Sequence, residues 1–178
     1  MAPSARTSGQ TIHATCVAFG ARGVLLLGPS GSGKSDLALR AIFDQGAKLV
    51  ADDRVRLTRR GGSLIASAPP EAAAVGLIGA LEAYGLGILG LAAAQRRTSV
   101  PLLLAVVLVP PGEVERLPGN WQAAPSFEKS EGLEWLGLAM PLLRLAPFES
   151  SAALKLRLAL HNVRLAAGGR SGSIKRLA

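Results

Sequence analysis

The sequence predicts an α/β fold in which a central mixed β-sheet, flanked by helices, carries a phosphate-binding loop at the carboxyl end of a strand. Three observations support this fold class. The short apolar run Val24–Leu27 is typical of a buried parallel strand. A glycine-rich segment follows it directly, and Asp36–Phe43 then has apolar residues at helical spacing. Strand, glycine-rich turn and helix in this order favour phosphate binding over a simple connection.

Two strands and one helix are expected around this segment. Thr11–Phe19 is rich in β-branched and apolar residues, which favours a strand. Gly20–Gly23 has the composition of a tight turn, so Val24–Leu27 is expected to pair with the preceding strand as a hairpin. The helix is expected to begin near Lys34 and to end at Gln45–Gly46, because glycine commonly terminates helices.

Shorter apolar runs separated by turn residues follow the helix. Proline pairs and glycines divide them, and the last two segments have helical spacing. The predicted elements are, in order, strands over Ala47–Asp53, Val55–Leu57 and Ser63–Ala66, a glycine-rich apolar segment over 71–91, a buried strand over Leu102–Val109, a loop over Gly112–Phe127, and helices over Leu133–Leu145 and Ser151–Ala166.

Composition and charge limit the classes of function. The chain has 178 residues, which suits one domain, expected over residues 11–167 with flexible segments at 1–10 and 168–178. The net charge of +8 favours acidic partners such as nucleotides or acidic protein surfaces. The basic residues are scattered and have no interleaved aromatic residues, so nucleic-acid binding is not predicted.

Cysteine content and hydropathy indicate a cytoplasmic protein without a membrane span. The single cysteine, Cys16, excludes an intramolecular disulfide, and its apolar neighbours indicate a core position. The polar residues 1–10 do not form a secretory signal. Residues 72–94 have the length of a span, but five glycines and Glu82 interrupt them, which argues against a membrane segment.

The glycine-rich segment has the spacing of a phosphate-binding loop, a glycine and four residues followed by Gly-Lys-Ser. Glycines allow the backbone to curl so that several N–H groups point at phosphate oxygens, and the helix adds its positive end. Lys34 is expected to reach the β- and γ-phosphates, and the Ser35 hydroxyl to ligate Mg²⁺. The predicted nucleotide-binding residues are Gly28, Pro29, Ser30, Gly31, Ser32, Gly33, Lys34, Ser35 and Asp36.

Acidic residues are expected to complete the site. Asp52 and Asp53 end the strand that follows the loop helix, so they are expected beside Ser35. Neighbouring residues on a strand point to opposite sides, which predicts that one acid holds Mg²⁺ and the other meets the incoming hydroxyl. The alternative is that one of the acids only caps a turn or pairs with Arg54 or Arg56. Glu82, the only acid in residues 72–94, either contacts a metal or a basic partner or is part of a solvated helix face.

Together these motifs resemble the catalytic domain of bacterial HPr kinase/phosphorylase. The resemblance covers about residues 11–165 and is similar to the short proteobacterial form, without the N-terminal domain of longer relatives. It implies a P-loop kinase fold of the HPr kinase/PEP carboxykinase type. The motifs that carry it, in order, are His13 with Ala14-Thr15, the strand and loop Gly23–Asp36, Leu49–Asp53, Leu81–Ile88 and Glu115–Pro118.

The resemblance implies a kinase that uses ATP and Mg²⁺ to phosphorylate a serine on an HPr-type phosphocarrier of the phosphotransferase system. Some family members also catalyse the reverse, phosphorylase reaction. By the resemblance, Asp52 is the general base, His13 lies beside Asp52 and the transferred phosphate, and Lys34 completes the catalytic set. Ser35, Asp53 and Glu82 are implied to surround the metal. A homo-oligomer, a hexamer in the family, is also implied.

Two departures from the family pattern bear on activity. The arginine of the family's Glu-x-Arg-Gly segment is Tyr84 here, and the C-terminal Pro-Gly-Arg-Asn loop is missing, which leaves Lys155 and Arg157 as the nearest replacements. These departures affect the phosphorylase activity more than the kinase activity.

The alternatives to an HPr kinase are a small-molecule kinase and a nucleotide-gated regulatory module that binds ATP and a partner without transfer. A GTPase is not predicted, because the sequence has no Asn-Lys-x-Asp segment to read guanine.

Overall fold

A computed structural model describes residues 9–115 and 133–167 of the chain. The predicted tails, apart from residues 9 and 10, and most of the predicted loop over 112–127 lie outside these ranges. The strands and α-helices are β1 (Gly9–His13), β2 (Thr15–Phe19), β3 (Arg22–Leu27), α1 (Lys34–Gln45), β4 (Lys48–Ala51), β5 (Arg54–Arg60), β6 (Ser63–Ser67), α2 (Pro70–Ala74), β7 (Ala80–Ala83), β8 (Gly87–Gly90), β9 (Ser99–Leu108), β10 (Leu133–Trp135), β11 (Leu138–Met140), β12 (Leu142–Leu145) and α3 (Ala152–Ala167).

Among the described residues, eight strands form a mixed sheet at the centre of the fold. Its order is β1-β5-β6-β9-β3-β2-β4, with β12 also paired to β9. The ten-residue β9 pairs antiparallel with β6 near its start and parallel with β3 and β12 farther along. One buried cluster includes residues of α1 and α3 together with β9, and a second includes residues of β5, β6 and the β10–β11 hairpin. The predicted α/β class with a flanked mixed sheet is confirmed.

The hairpin and the helix on either side of the loop are confirmed. Strands β2 and β3 pair antiparallel across a turn in which Gly20 has a φ of 59°. Helix α1 begins at Lys34 and ends at Gln45, and Gly46 adopts the left-handed conformation with a φ of 70°. Since only glycine adopts that conformation without strain, the predicted helix stop has a direct cause.

The predicted single strand Thr11–Phe19 is two strands that separate at Ala14. Strand β1 pairs with β5, whereas β2 pairs with β3 and β4. The Ala14 N–H donates to the Asp53 carbonyl at 3.2 Å, so the break between β1 and β2 lies beside the connection from β4 to β5. This arrangement brings His13, Thr15 and the two adjacent acids together.

The predicted helix over Leu133–Leu145 is wrong, because this segment forms the β10–β11 hairpin and strand β12. Leu136 and Gly137 have positive φ values of 53° and 72°, as expected for a two-residue hairpin turn. The predicted helix over Ser151–Ala166 is confirmed as α3. No helix within 9–115 and 133–167 combines the length and apolar character needed to cross a bilayer.

Candidate phosphoryl-transfer site

The loop between β3 and α1 has a backbone that requires glycine. Gly28, Gly31 and Gly33 have φ values of 153°, 78° and 87°. A Cβ atom at Gly28 would lie 2.5 Å from the Ser32 hydroxyl oxygen, and one at Gly33 would lie 2.9 Å from the ring of Phe148. The loop therefore curls into a space that larger side chains would fill, which is the requirement for presenting backbone N–H groups to phosphate oxygens.

Two polar side chains inside the loop are arranged for a polar ligand. The Ser32 hydroxyl is buried and has no hydrogen-bond partner among the described residues. The Lys34 ammonium donates to the Gly28 and Pro29 carbonyls, each at 2.9 Å. Burial lowers the pKa of Lys34, and the carboxylates of Asp52 and Asp53 partly oppose this shift. An unpartnered hydroxyl and a desolvated cation fit a polyphosphate.

Asp52, which directly follows β4, accepts hydrogen bonds from three elements. The Ser35 hydroxyl of α1 donates to this carboxylate, with its oxygen 3.1 Å from both carboxylate oxygens. The fully buried Thr15 hydroxyl of β2 donates at 2.6 Å, and the Glu82 N–H of β7 donates at 3.1 Å. These bonds fix the carboxylate at the start of the loop helix. Thr15 is not among the predicted site residues. A polar residue in an apolar strand, two positions after His13, is the feature of the sequence that could have indicated it.

Asp53 faces a different environment although it is the next residue. Its side chain is 73% exposed, and its Oδ1 lies 3.1 Å from Nδ1 of His13. Its backbone has a φ of 64°, in the left-handed region that non-glycine residues seldom adopt. This conformation directs the two acids to separate partners.

The structure places the predicted catalytic and metal residues around the loop, but the contacts of the two adjacent acids differ from those that the resemblance implies. Ser35 lies against Asp52 and not against Asp53, and His13 lies beside Asp53 and not beside Asp52. Glu82 lies on a strand and not on the predicted helix face, but its side chain is exposed, as that alternative expects. Its backbone N–H contacts the site through the Asp52 carboxylate. Within the described ranges, no group of three carboxylate, imidazole or thiol side chains is arranged to hold a metal ion.

A cleft of about 570 Å³ opens beside the loop. Loop residues form one wall, and the segments that follow β9 and β12 form the other, with Pro110, Pro111 and the 71% exposed ring of Phe148. Arg40 of α1 donates to the carbonyls of Pro147 and Glu149, which ties the second wall to the loop helix. The cleft is mostly apolar and adjoins the polar loop.

The remaining predicted residues lie around this cleft or on the surface. Asp36 forms an ion pair with Arg40 at 2.8 Å on the helix that follows the loop. Lys155 pairs with Glu149, a residue that lines the cleft. Arg157 is exposed on α3, and Tyr84 is fully exposed in the turn between β7 and β8. Of these two residues, suggested as replacements for the family arginine, Lys155 is the one whose ion-pair partner lines the cleft.

The chain is similar to proteins of one enzyme family. It is 38% identical over 114 residues to the HPr kinase/phosphorylase of Burkholderia lata and to that of Burkholderia cenocepacia, and each match covers 61% of this chain and 34% of the relative. The chain thus spans about a third of the length of these curated relatives. The fold is similar to the Hpr(Ser) kinase/phosphatase from Coxiella burnetii, with a TM-score of 0.71, 26% identity, and coverage of 90% of this chain and 93% of that one.

A family model covers the loop and the polar side chains of this site. The model for the HPr Serine kinase C-terminal domain matches residues 5–109, which include the loop, the two adjacent acids, His13 and Glu82. This range is more than half of the chain. The chain therefore belongs to the HPr serine kinase C-terminal domain family.

Proposed function

We propose that this chain is the catalytic domain of an ATP- and Mg²⁺-dependent protein-serine kinase that acts on an HPr-type phosphocarrier. The observation that carries the proposal is the Ser35–Asp52 pair at the phosphate-binding loop, with the exposed Asp53 one residue away beside His13. A loop for polyphosphate, an oxygen-donor pair for a metal and an open carboxylate are the parts that phosphoryl transfer needs. The names of the relatives supply the HPr substrate.

The loop and the cleft would hold the nucleotide. Lys34 would exchange its two carbonyl partners for phosphate oxygens, and Ser32 would gain the partner that it lacks among the described residues. The adjoining cleft has a volume in the range of small-molecule sites, and the exposed ring of Phe148 offers a face for stacking on a base. The apolar walls favour contact with the nucleoside over hydrogen bonding to it.

Ser35 and Asp52 would hold the metal. Hydroxyl and carboxylate oxygens are the ligands that Mg²⁺ prefers, and this ion usually binds through one or two carboxylates together with substrate phosphates. When bound, Mg²⁺ supplies positive charge that neutralises the phosphate oxygens during transfer. Thr15 and the Glu82 N–H hold the carboxylate in position for this task.

Asp53 would act as the general base, which exchanges the roles that the resemblance implies for the two adjacent acids. Its carboxylate is exposed and can reach the hydroxyl of a protein substrate, whereas Asp52 is held by Ser35, Thr15 and the backbone of Glu82. Asp53 accepts the proton of the serine hydroxyl as the serine oxygen bonds to the γ-phosphorus and the bond to ADP breaks. His13 holds this carboxylate in place.

The phosphorylase reaction would use the same residues in reverse. Protonated Asp53 would return its proton to the serine oxygen as phosphate attacks the phosphoserine, releasing serine and pyrophosphate. Tyr84 replaces a family arginine, so we expect this direction to be the weaker of the two.

We also propose that the enzyme works in the cytoplasm as a homo-oligomer, whose size light scattering would measure.

The test is incubation of the protein with labelled ATP, Mg²⁺ and the HPr-type carrier from the same genome. Label on a carrier serine is the expected result. The exposed Tyr84, in place of a fixed positive charge, is the observation that favours the second candidate, a regulatory module that binds ATP without transfer. Tight ATP binding with no label on the carrier at any concentration would support that module and contradict the kinase.

A further inference from the structure

Strand β5 carries a row of arginines on its solvent side. Arg54, Arg56 and Arg60 alternate along the strand with Val55 and Leu57, which are fully buried in the core. Alternate residues of a strand share a face, so the three arginines lie on the outer face of the sheet. We call these three residues and their sheet face the arginine face.

The arginine face carries positive charge that the described part of the chain does not balance. Within residues 9–115 and 133–167, none of the three arginines forms an ion pair. Arg54 and Arg56 are two residues apart, about 7 Å along the strand, so their charges repel. The Arg56 guanidinium lies over Gly9, at which a Cβ atom would be 2.7 Å from its nitrogen. An external acidic partner would relieve this repulsion.

The arginine face is continuous with the proposed base. In the β1–β5 pairing, His13 is opposite Arg54, and directly paired residues have their side chains on the same side of a sheet. His13 in turn contacts Asp53. From this contact the face extends along β5 to Arg60, a distance of about 20 Å for six residues of strand.

Arg54 and Arg60 are exposed, Arg56 is half-buried, and the neighbouring strand leaves room beside them. Strand β6 places Ser67 opposite Arg56 and Ser63 opposite Arg60, and both serines have short side chains. A protein surface could therefore approach the guanidinium groups closely. Arginine binds carboxylates through two parallel hydrogen bonds, which makes it the side chain suited to an acidic protein surface.

We propose that the arginine face is the docking surface for an acidic region of the protein substrate, next to its phosphoacceptor serine. This inference rests on the proposed kinase function, because it needs a protein substrate whose hydroxyl reaches Asp53. Nucleic acid is the less favoured partner. The face formed by β1, β5 and β6 carries no Phe, Tyr or Trp on which a base could stack.

The test uses the double variant Arg56→Glu/Arg60→Glu and leaves Arg54, the neighbour of Asp53, unchanged. Lys48→Glu, at an exposed position of β4, is the control for a change of charge. We expect the double variant to raise the KM for the carrier by at least about tenfold, while Lys48→Glu changes it by less than about twofold. Arg60→Gln alone should give a smaller increase. Thermal melting and ADP binding report whether each variant is folded.

Binding measurements separate this inference from the kinase assignment. A fluorescent oligo-glutamate peptide should bind the wild-type protein at low salt and lose at least about tenfold in affinity in the double variant only. If the carrier is not phosphorylated but the peptide binds in this way, the kinase proposal fails, and the arginine face is still supported as a binding surface for acidic protein segments. Three results would each overturn the docking surface. The first is an unchanged KM for the carrier in an active double variant, and the second is a loss in Lys48→Glu equal to that in the double variant. The third is binding of a 20-nucleotide DNA strand through the same arginines that is tighter than binding of the peptide.

Discussion

Asp52 and Asp53 are neighbours in the chain, but their carboxylates contact different partners. Asp52 accepts the Ser35 hydroxyl at 3.1 Å, whereas Asp53 lies 3.1 Å from the His13 ring. The positive φ of Asp53, 64°, accompanies this separation. One acid is thus oriented toward the loop helix and the other toward solvent, which supports a division between metal binding and proton transfer.

Replacing Asp53 by asparagine should abolish phosphoryl transfer without weakening nucleotide binding. The amide cannot accept the serine proton, and general-base catalysis commonly contributes about 10²–10⁴-fold to the rate. We therefore expect a fall in kcat of that size, measured with labelled ATP and the carrier, with an unchanged Kd for Mg-ADP. Transfer at the wild-type rate would show that Asp53 is not the base.

Replacing Asp52 by asparagine should instead weaken the metal dependence of nucleotide binding. The amide keeps the shape of the side chain but removes the negative charge beside Ser35. We measure the Kd for ADP with and without Mg²⁺ by titration calorimetry. The factor by which Mg²⁺ lowers this Kd should be at least about tenfold smaller in the variant than in the wild-type protein. Asp53→Asn is the matched control. The same Mg²⁺ dependence in both variants would contradict the division of roles.

Replacing Phe148 by alanine should raise the Kd for ATP and leave the Kd for pyrophosphate unchanged. The exposed ring lines the cleft next to the loop, and stacking of a base on an aromatic ring contributes about 1–3 kcal/mol. That range corresponds to roughly five- to 150-fold in affinity. Leu158→Ala, an exposed apolar position on α3 that does not line the cleft, serves as control. Equal losses for ATP and pyrophosphate would mean that the ring supports the loop and not the base.

The affinity for ADP should fall as pH rises, and the fall should begin at a pH below the ordinary pKa of lysine. Burial lowers the pKa of Lys34 from 10.5, and the carboxylates of Asp52 and Asp53 only partly oppose this. Since the charged ammonium is the form that binds phosphate, affinity is lost as pH rises through the lowered pKa. Lys34→Arg, whose side chain stays charged, should show a flat profile at whatever affinity it retains. A wild-type affinity that is constant up to pH 10.5 would contradict the shift.

Much of the site could be predicted from the sequence because its parts are local. The loop and the start of α1 are contiguous in the chain, and the glycine positions follow from the backbone that phosphate binding requires. The acids at the end of β4 were also predicted. By contrast, the apolar spacing of Leu133–Leu145 indicated a helix, since a short apolar segment does not distinguish helix from strand by periodicity alone.

The sequence by itself determined the loop, its helix, the family and the presence of two acids and a histidine at the site. Only the tertiary structure decided which acid faces Ser35 and which faces His13, since this depends on a left-handed residue at 53 and on the break in the chain at Ala14. The arginine face likewise depends on the register of β1 and β6 against β5. The short turn between β5 and β6 fixes the register of that hairpin locally. Strands β1 and β5 are distant in sequence, so no local pattern of side chains specifies which of their residues will be opposite one another.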